Sequence, residues 1–190
     1  MIKELRQKIL VFLIILSNLS FAAQNLPVNS KELDKILDQA FENIDRGNTQ
    51  KGVLILKKKI SEDPTEIIYK AILGSIYDGA GRKNEAEKEF DEAVRLQEKY
   101  PFIAGDGKKY DIRFMIGMFY SFTEDYTSAL KWLNQVDEKE YNEMFKDEPM
   151  LKDFLFGIFN YNDNNPEEAK KYLFKSSVYD KDGVSENILG

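Results

Sequence analysis

The most informative stretch of the sequence is Leu73–Val94, LGSIYDGAGRKNEAEKEFDEAV. Most of its residues favour helix, but small residues interrupt the larger ones at Gly74, Gly81, Ala86 and Ala93. Two antiparallel helices can approach closely only where one of them offers little bulk to the other. We therefore expect Gly74 and Ala86 to lie where two helices meet, and Gly81 to end the first helix in the left-handed conformation that glycine adopts readily. Ala93 would leave room for the helix that follows.

Helical periodicity continues on both sides of this stretch. From about Lys31 to about Tyr179, apolar residues recur three and four positions apart, and no convincing run alternates between polar and apolar residues. Breaks rich in Gly, Pro, Asn or Asp divide the run into about eight main helices. The pattern predicts an all-α protein whose helices are arranged in pairs.

Small residues also recur in register, with a period of 34 residues. The pairs that keep this step are Ala40 and Gly74, Gly47 and Gly81, Gly52 and Ala86, and Leu56 and Phe90. This pattern resembles the tetratricopeptide repeat, in which Leu-Gly is followed by Tyr, then by a small residue, a large residue and a closing Pro. The resemblance implies an α-solenoid of about four antiparallel helix pairs, with repeats at about 33–66, 67–100, 110–143 and 150–183.

The positions that carry the resemblance should have structural roles. They are Ala40, Gly47, Gly52, Pro64, Leu73, Gly74, Tyr77, Gly81, Ala86, Phe90, Ala93, Gly117, Tyr120, Ala129, Gly157 and Ala169. The third and fourth copies lack the glycine at the turn inside the pair. The steps from Gly74 to Gly117 and from Gly117 to Gly157 are also longer, at 43 and 40 residues, so we expect irregular stacking at these two connections.

The composition excludes several classes of function. The chain of 190 residues has no Cys and no His, so it has no disulfide, no thiolate nucleophile, and no histidine to serve as general base or zinc ligand. Its formal net charge of −6 opposes nucleic-acid binding, which needs clustered Lys and Arg. We expect no metal site and no cofactor, because even the acidic stretch Asp180–Glu186 lacks the ligand spacing of a calcium loop.

The N-terminal segment is typical of a secretory signal peptide. Lys3, Arg6 and Lys8 precede an apolar run at residues 9–16, which is too short to span a membrane. We therefore predict a signal peptide at residues 1–22, with an uncleaved membrane anchor as the alternative.

The predicted cleavage site lies after Ala22, with the neighbouring Ala23 as the second choice. A loose leader at residues 23–30 would then precede a helical repeat domain at residues 31–190. The mature protein would be exported, periplasmic or secreted, and without stable insertion in the membrane.

The resemblance also indicates where a partner would bind. In this family the first helix of each pair lines a concave groove, and an apolar stripe on these helices would face it. The residues that we predict to contact a partner are Phe41, Ile44, Phe114, Met118, Phe122, Phe154, Ile158 and Tyr161. Some family members clamp a terminal carboxylate with Lys and Asn here, but the matching positions in this chain are apolar or small, so no such clamp is expected.

An exposed apolar groove should be covered, and three occupants are open. A protein or peptide partner could lie in it, the chain's own leader or tail could fold back, or two copies could form a homodimer. We favour a non-catalytic scaffold or adaptor of the bacterial cell envelope that binds a partner polypeptide. The alternatives are an inhibitor or immunity-type protein that binds a basic partner through its acidic surface, and a hydrolase that uses a carboxylate pair such as Asp78 and Glu85.

Overall fold

The computed structural model describes residues 28–104 and 107–178. Within these ranges the helices and strands are, in chain order, α1 (Val28–Asp45), α2 (Thr49–Glu62), α3 (Ile68–Gly79), α4 (Lys83–Leu96), β1 (Phe102–Ile103), β2 (Lys109–Tyr110), α5 (Ile112–Phe122), α6 (Tyr126–Leu133), α7 (Glu138–Met144), α8 (Met150–Asn162) and α9 (Pro166–Ser177). Eight of the helices form the pairs α1/α2, α3/α4, α5/α6 and α8/α9. The predicted all-α solenoid of four helix pairs is confirmed.

The N-terminal boundary differs from the prediction. Helix α1 begins at Val28, so residues 28–30 belong to this helix and not to the leader. Asn29 and Ser30 suit the first turn of a helix as well as a loop, so residue type alone could not distinguish the end of a leader from the start of a helix. The predicted signal peptide, its cleavage site, residues 23–27 and the tail from Tyr179 onward lie outside the described residues.

The two helices of each pair touch where one of them has a glycine. A Cβ atom added to Gly74 would lie 2.5 Å from the ring of Phe90, and one added to Gly52 would lie 2.6 Å from the carbonyl oxygen of Ala40. The same contact recurs in the third and fourth pairs, where Gly117 faces Leu133 and Gly157 faces Leu173. Each pair therefore depends on a position where any larger residue would push the helices apart.

The turn inside each pair has the same backbone conformation in all four pairs. A residue with positive φ follows the first helix at Gly47 (82°), Gly81 (75°), Glu124 (64°) and Asn164 (65°). In the second pair the backbone N–H of Arg82 donates to the carbonyl oxygen of Tyr77 at 2.8 Å, and the other three turns contain the corresponding bond. This is the hydrogen bond of a Schellman motif, so the third and fourth turns keep the glycine conformation without glycine.

The connections between pairs vary in length, unlike the turns. Residues 63–67 connect the first pair to the second, whereas residues 97–111 and 134–149 form the two later connections. The middle connection contains an antiparallel hairpin in which Phe102 pairs with Tyr110, and both side chains are buried. The insertions expected to make the stacking irregular are thus folded onto the array.

Asp111 joins this hairpin to helix α5. Its carboxylate is 3% exposed and accepts the backbone N–H of Arg113 at 2.8 Å, which caps the helix. The same carboxylate accepts the guanidinium of Arg113, which raises the pKa of that arginine further above its usual value. The backbone N–H of Ile112 donates to Oε1 of Gln97 at 3.0 Å, so the first turn of α5 is held by the preceding helix pair.

Rings in the core connect each pair to the next. The ring of Phe90 lies 5.9 Å from that of Tyr120 and 5.6 Å from that of Trp132, which joins the second pair to the third. Helix α7 lies between the third and fourth pairs, where the hydroxyl of Tyr141 donates to the carbonyl oxygen of Leu133 at 2.8 Å and its ring contacts Phe156. The described pairs therefore share one continuous core.

Candidate partner-binding surface

Four of the eight residues predicted to contact a partner lie in the core. The side chains of Phe41, Ile44, Phe114 and Met118 are 0%, 4%, 2% and 6% exposed, so they offer no surface to a partner. The prediction was wrong in placing these four side chains on an accessible surface. The physical reason is that the first helix of a pair is covered both by its own second helix and by neighbouring elements.

Two contacts illustrate this coverage. Ile44 packs against α2, since its side chain would lie 2.6 Å from a Cβ atom added to Gly52. Phe114 is covered by the hairpin and by α7, since its ring lies 6.1 Å from that of Tyr110 and 6.4 Å from that of Tyr141. Spacing by three and four residues marked a buried face at these positions.

The other four predicted residues are accessible to different degrees. Phe122, Phe154 and Ile158 are half-buried, and Tyr161 is 59% exposed. Three of these four lie on α8 in the last described pair. Phe122 ends α5, where its ring lies 6.4 Å from that of Phe119.

We define the α8 stripe as Leu151, Phe154, Ile158 and Tyr161. These residues follow one another at steps of three, four and three positions, so they lie on one face of the helix. Leu151 is half-buried, like Phe154 and Ile158. The α8 stripe is therefore a row of apolar side chains, partly open to solvent, on a regular helix.

Tyr161 is exposed because of its place at the end of the described array. It stands four residues after the small residue of its pair, and the corresponding residues of the preceding pairs are Ile44, Asp78 and Ser121. Ile44 and Ser121 are 4% and 8% exposed, and the Asp78 side chain is 16% exposed. Among the described residues, no further pair lies beyond α8 and α9 to cover Tyr161 in the same way.

A hollow of about 440 Å³ lies where α7 is followed by α8. Its lining residues are Asp147, Glu148, Pro149, Met150 and Leu151. Since Leu151 also begins the α8 stripe, the hollow and the stripe form one surface. The sequence marked Pro149 only as a break between helices, so the hollow was not predicted.

Each of the two carboxylates suggested for a hydrolase is held in an ion pair of its own. Asp78 accepts the ammonium of Lys83 at 2.7 Å, and Glu85 is paired with the guanidinium of Arg82. The hydrogen bond from Arg82 lowers the pKa of Glu85, whereas a general acid needs a raised pKa. The proposed carboxylate pair is thus two separate ion pairs.

Other acidic side chains are also spread along the outer surfaces of the helices. Ion pairs within one helix or its cap join Glu42 to Arg46, Lys58 to Glu62, Glu92 to Arg95 and Glu168 to Lys171. In residues 28–104 and 107–178, no group of three or more acidic side chains has the arrangement of a metal site. Within the same residues, none of the helices is both apolar enough and long enough to cross a membrane.

Comparison with known families identifies the two central pairs. A family model described as "Tetratricopeptide repeat" matches residues 69–100 and 110–138, which correspond to α3/α4 and α5/α6. No curated protein matches the chain. The matched segments contain the close contact at Gly74, the positive-φ turn at Gly81 and the equivalent features at Gly117 and Glu124. The two central helix pairs therefore match tetratricopeptide repeats, and the four-pair architecture is that of a tetratricopeptide-like solenoid.

Proposed function

We propose that this protein is an exported scaffold or adaptor of the bacterial cell envelope, and that it binds a partner polypeptide along the α8 stripe. Tetratricopeptide repeats generally mediate interactions between proteins, and the family is typically non-catalytic. The location is proposed from the N-terminal segment, whose basic residues and short apolar run are typical of a signal peptide.

The observation that carries the proposal is the accessibility of the α8 stripe. In the preceding first helices, α3 and α5, eight residues each are buried, whereas every member of the α8 stripe is half-buried or exposed. A partner that covered these four side chains would remove apolar surface from water, at about 25 cal/mol for each Å². The scaffold is rigid because each pair is locked at its glycine contact, so little ordering of α8 would accompany binding.

In-cell crosslinking tests the proposal. A photoreactive residue replaces Phe154, and the attached proteins are identified by mass spectrometry. We expect one discrete foreign protein, and we expect Ile158→Asp to remove it because a carboxylate placed in a half-buried apolar site opposes docking. Crosslinks only to the chain itself would contradict the proposal.

A matched control uses Phe174, which is 67% exposed on α9 and does not belong to the α8 stripe. Phe174→Asp should leave the crosslink at Phe154 unchanged. Circular dichroism of both aspartate variants verifies that their helical content is preserved. Loss of the crosslink in both variants would mean that partner capture does not depend on the α8 stripe specifically.

The inhibitor alternative gives a different result in the same assay. Binding through the acidic outer surface would weaken steeply as salt is added, since exposed charges are screened within about 10 Å at 0.1 M salt. It would also survive Ile158→Asp. The ion pairs along the outer helix surfaces give this alternative less support, because they neutralise part of the acidic charge.

A further inference from the structure

We propose that the hollow at residues 147–151 and the α8 stripe together accommodate a cationic amphipathic helix of the partner. An apolar side chain of that helix would enter the hollow, and its Lys or Arg side chains would lie beside the carboxylates around it. This inference rests on the proposed function and adds the chemical class of the partner.

The hollow provides an anchor site with both apolar and acidic walls. Pro149, Met150 and Leu151 supply its apolar part, while Asp147 and Glu148 place two carboxylates at its edge. Both acids are exposed, and the Asp147 side chain is 69% exposed. An apolar side chain entering from a partner would therefore meet an apolar surface next to negative charge.

The chain on both sides of the hollow is acidic, since residues 137–168 contain ten acids and three lysines, which are Lys139, Lys146 and Lys152. Asp147 is paired with Lys108 at 2.9 Å, which lowers the pKa of the carboxyl and keeps it ionised at neutral pH. Lys152 is committed to Glu138 in a second ion pair. No counterpart to these two lysines is found at Glu148 among the ion pairs of the described residues.

The same bias extends along α8 and into α9. From Asp153 to Ala169 the chain contains no Lys and no Arg, whereas it contains four acids. These acids are Asp153, Asp163, Glu167 and Glu168. A segment lying on the α8 stripe would therefore meet a carboxylate at Asp153, near the start of the stripe, and another at Asp163, just past its end.

The length of the surface fits a short helix. Leu151 and Tyr161 are ten positions apart, which corresponds to about 15 Å along a helix at 1.5 Å for each residue. A partner helix of about three turns would cover this distance, with apolar residues at three-and-four spacing toward the stripe. Lys or Arg residues flanking that apolar row would lie near Asp153 and Asp163, at the two ends of the stripe.

Charge would supply the selectivity, whereas apolar contact would supply the larger part of the affinity. An apolar stripe alone accepts any amphipathic helix of suitable length, but the carboxylates at the hollow and at the two ends of the stripe repel an acidic one. Each exposed ion pair contributes about 0.2–1 kcal/mol. Two or three such pairs, together with the repulsion of the acidic competitor, correspond to a preference of about tenfold, since 1.4 kcal/mol is tenfold in affinity.

The test compares two synthetic helical peptides that share the same leucine positions and differ only in their polar residues. One carries Lys at these positions and the other carries Glu, and both are labelled for fluorescence anisotropy. We expect the lysine peptide to bind the purified protein about tenfold more tightly at low salt, and the difference to shrink as salt is added. Equal binding of the two peptides would overturn the inference.

Charge reversal at the hollow provides the matched variants. Glu148→Lys should reduce the preference for the lysine peptide by about threefold, because it removes one favourable charge and adds an unfavourable one. The control is Glu98→Lys, an equally exposed acid beyond the end of α4, which should leave the preference unchanged. Equal effects of the two substitutions would overturn the inference, because the preference would then reflect net charge alone.

The apolar part is tested by truncation. Leu151→Ala should weaken both peptides alike while circular dichroism stays unchanged, since Leu151 is only half-buried. If light scattering shows a dimer whose formation blocks both peptides, the occupant is a second copy and the inference is wrong. If removal of residues 179–190 is needed before either peptide binds, the occupant is the chain's own tail, which also overturns it.

The two proposals fail in different ways. A discrete partner crosslinked at Phe154 together with no preference between the peptides would leave the proposed function intact and remove only the cationic partner. Tight binding of the lysine peptide together with only self-crosslinks at Phe154 would remove the proposed function and leave the preference of this surface for a cationic helix.

Discussion

The contact between Gly74 and Phe90 gives the sharpest prediction for stability. In Gly74→Ala the new methyl group would lie 2.5 Å from Cε1 and 2.6 Å from Cδ1 of the Phe90 ring, closer than real carbon atoms approach. The ring cannot move aside easily, because Phe90 is 1% exposed and is packed against Tyr120 and Trp132. Helices α3 and α4 would have to separate.

The expected size follows from two opposing effects. Replacing Gly by Ala inside a helix stabilises it by about 1 kcal/mol, whereas overpacking a core costs about 1–3 kcal/mol, and more where the obstacle is rigid. We therefore expect Gly74→Ala to lower the free energy of unfolding by about 2 kcal/mol. Urea unfolding measures it, followed by the fluorescence of Trp132, the single tryptophan of the chain.

Gly79 provides the control in the same helix. A Cβ atom on Gly79 would meet nothing within 4 Å, so Gly79→Ala should leave the free energy of unfolding within about 0.5 kcal/mol of the wild type or raise it. If Gly74→Ala proved as stable as Gly79→Ala, the close approach of α3 and α4 could not be what requires a glycine at residue 74.

Two further predictions concern stability. Glu124 has a positive φ of 64°, so Glu124→Gly should raise the free energy of unfolding by about 1 kcal/mol. The relief of left-handed strain in the folded state should exceed the added flexibility of the unfolded chain. Urea unfolding measures the change, and an unchanged midpoint would contradict the prediction. Burial, together with the charge of Asp63, raises the pKa of Glu66 to about 7, above its ordinary value of 4.5. The folded state therefore holds this proton more tightly than the unfolded state, so the contribution to stability is complete below pH 4.5 and is lost as pH rises through 7. After discounting for solvent screening we expect a loss of about 1 kcal/mol, and unfolding curves at pH 4.5 and 8 should differ less in Glu66→Gln than in the wild type.

The helix pairs could be predicted from the sequence because their contacts require small residues. Gly74 and Gly52 lie where a larger residue would clash with the partner helix. The recurrence of small residues at a spacing of 34 therefore reflects a requirement for close helix packing. The turns at Glu124 and Asn164 could not be recognised in this way. Both adopt the glycine conformation without glycine; Asn is a residue type that does so fairly often, whereas Glu124 gives no sign of it.

The exposure of the residues predicted to contact a partner could not be predicted from the sequence, for a reason of geometry. A buried face and a groove face of one helix have the same three-and-four spacing, so the pattern could not tell Phe114 in the core from Phe154 in the α8 stripe. Exposure depends on what packs against the helix from distant parts of the chain. The hairpin that covers Phe114 has strands of two residues each, which is too short for alternation to reveal.

The contrast between constant turns and variable connections has a consequence for how such a chain can be lengthened or cut. Every turn inside a pair occupies three residues and ends in the same hydrogen-bonded motif, so one added residue would rotate the second helix by about 100° and turn its buried face toward solvent. The connections at residues 63–67, 97–111 and 134–149 tolerate different lengths within the same molecule. Duplication of a helix pair, fusion, or insertion of a reporter domain is therefore compatible with these connections. A whole helix pair is the smallest unit that can be added or removed without exposing the surfaces that its two helices bury against each other.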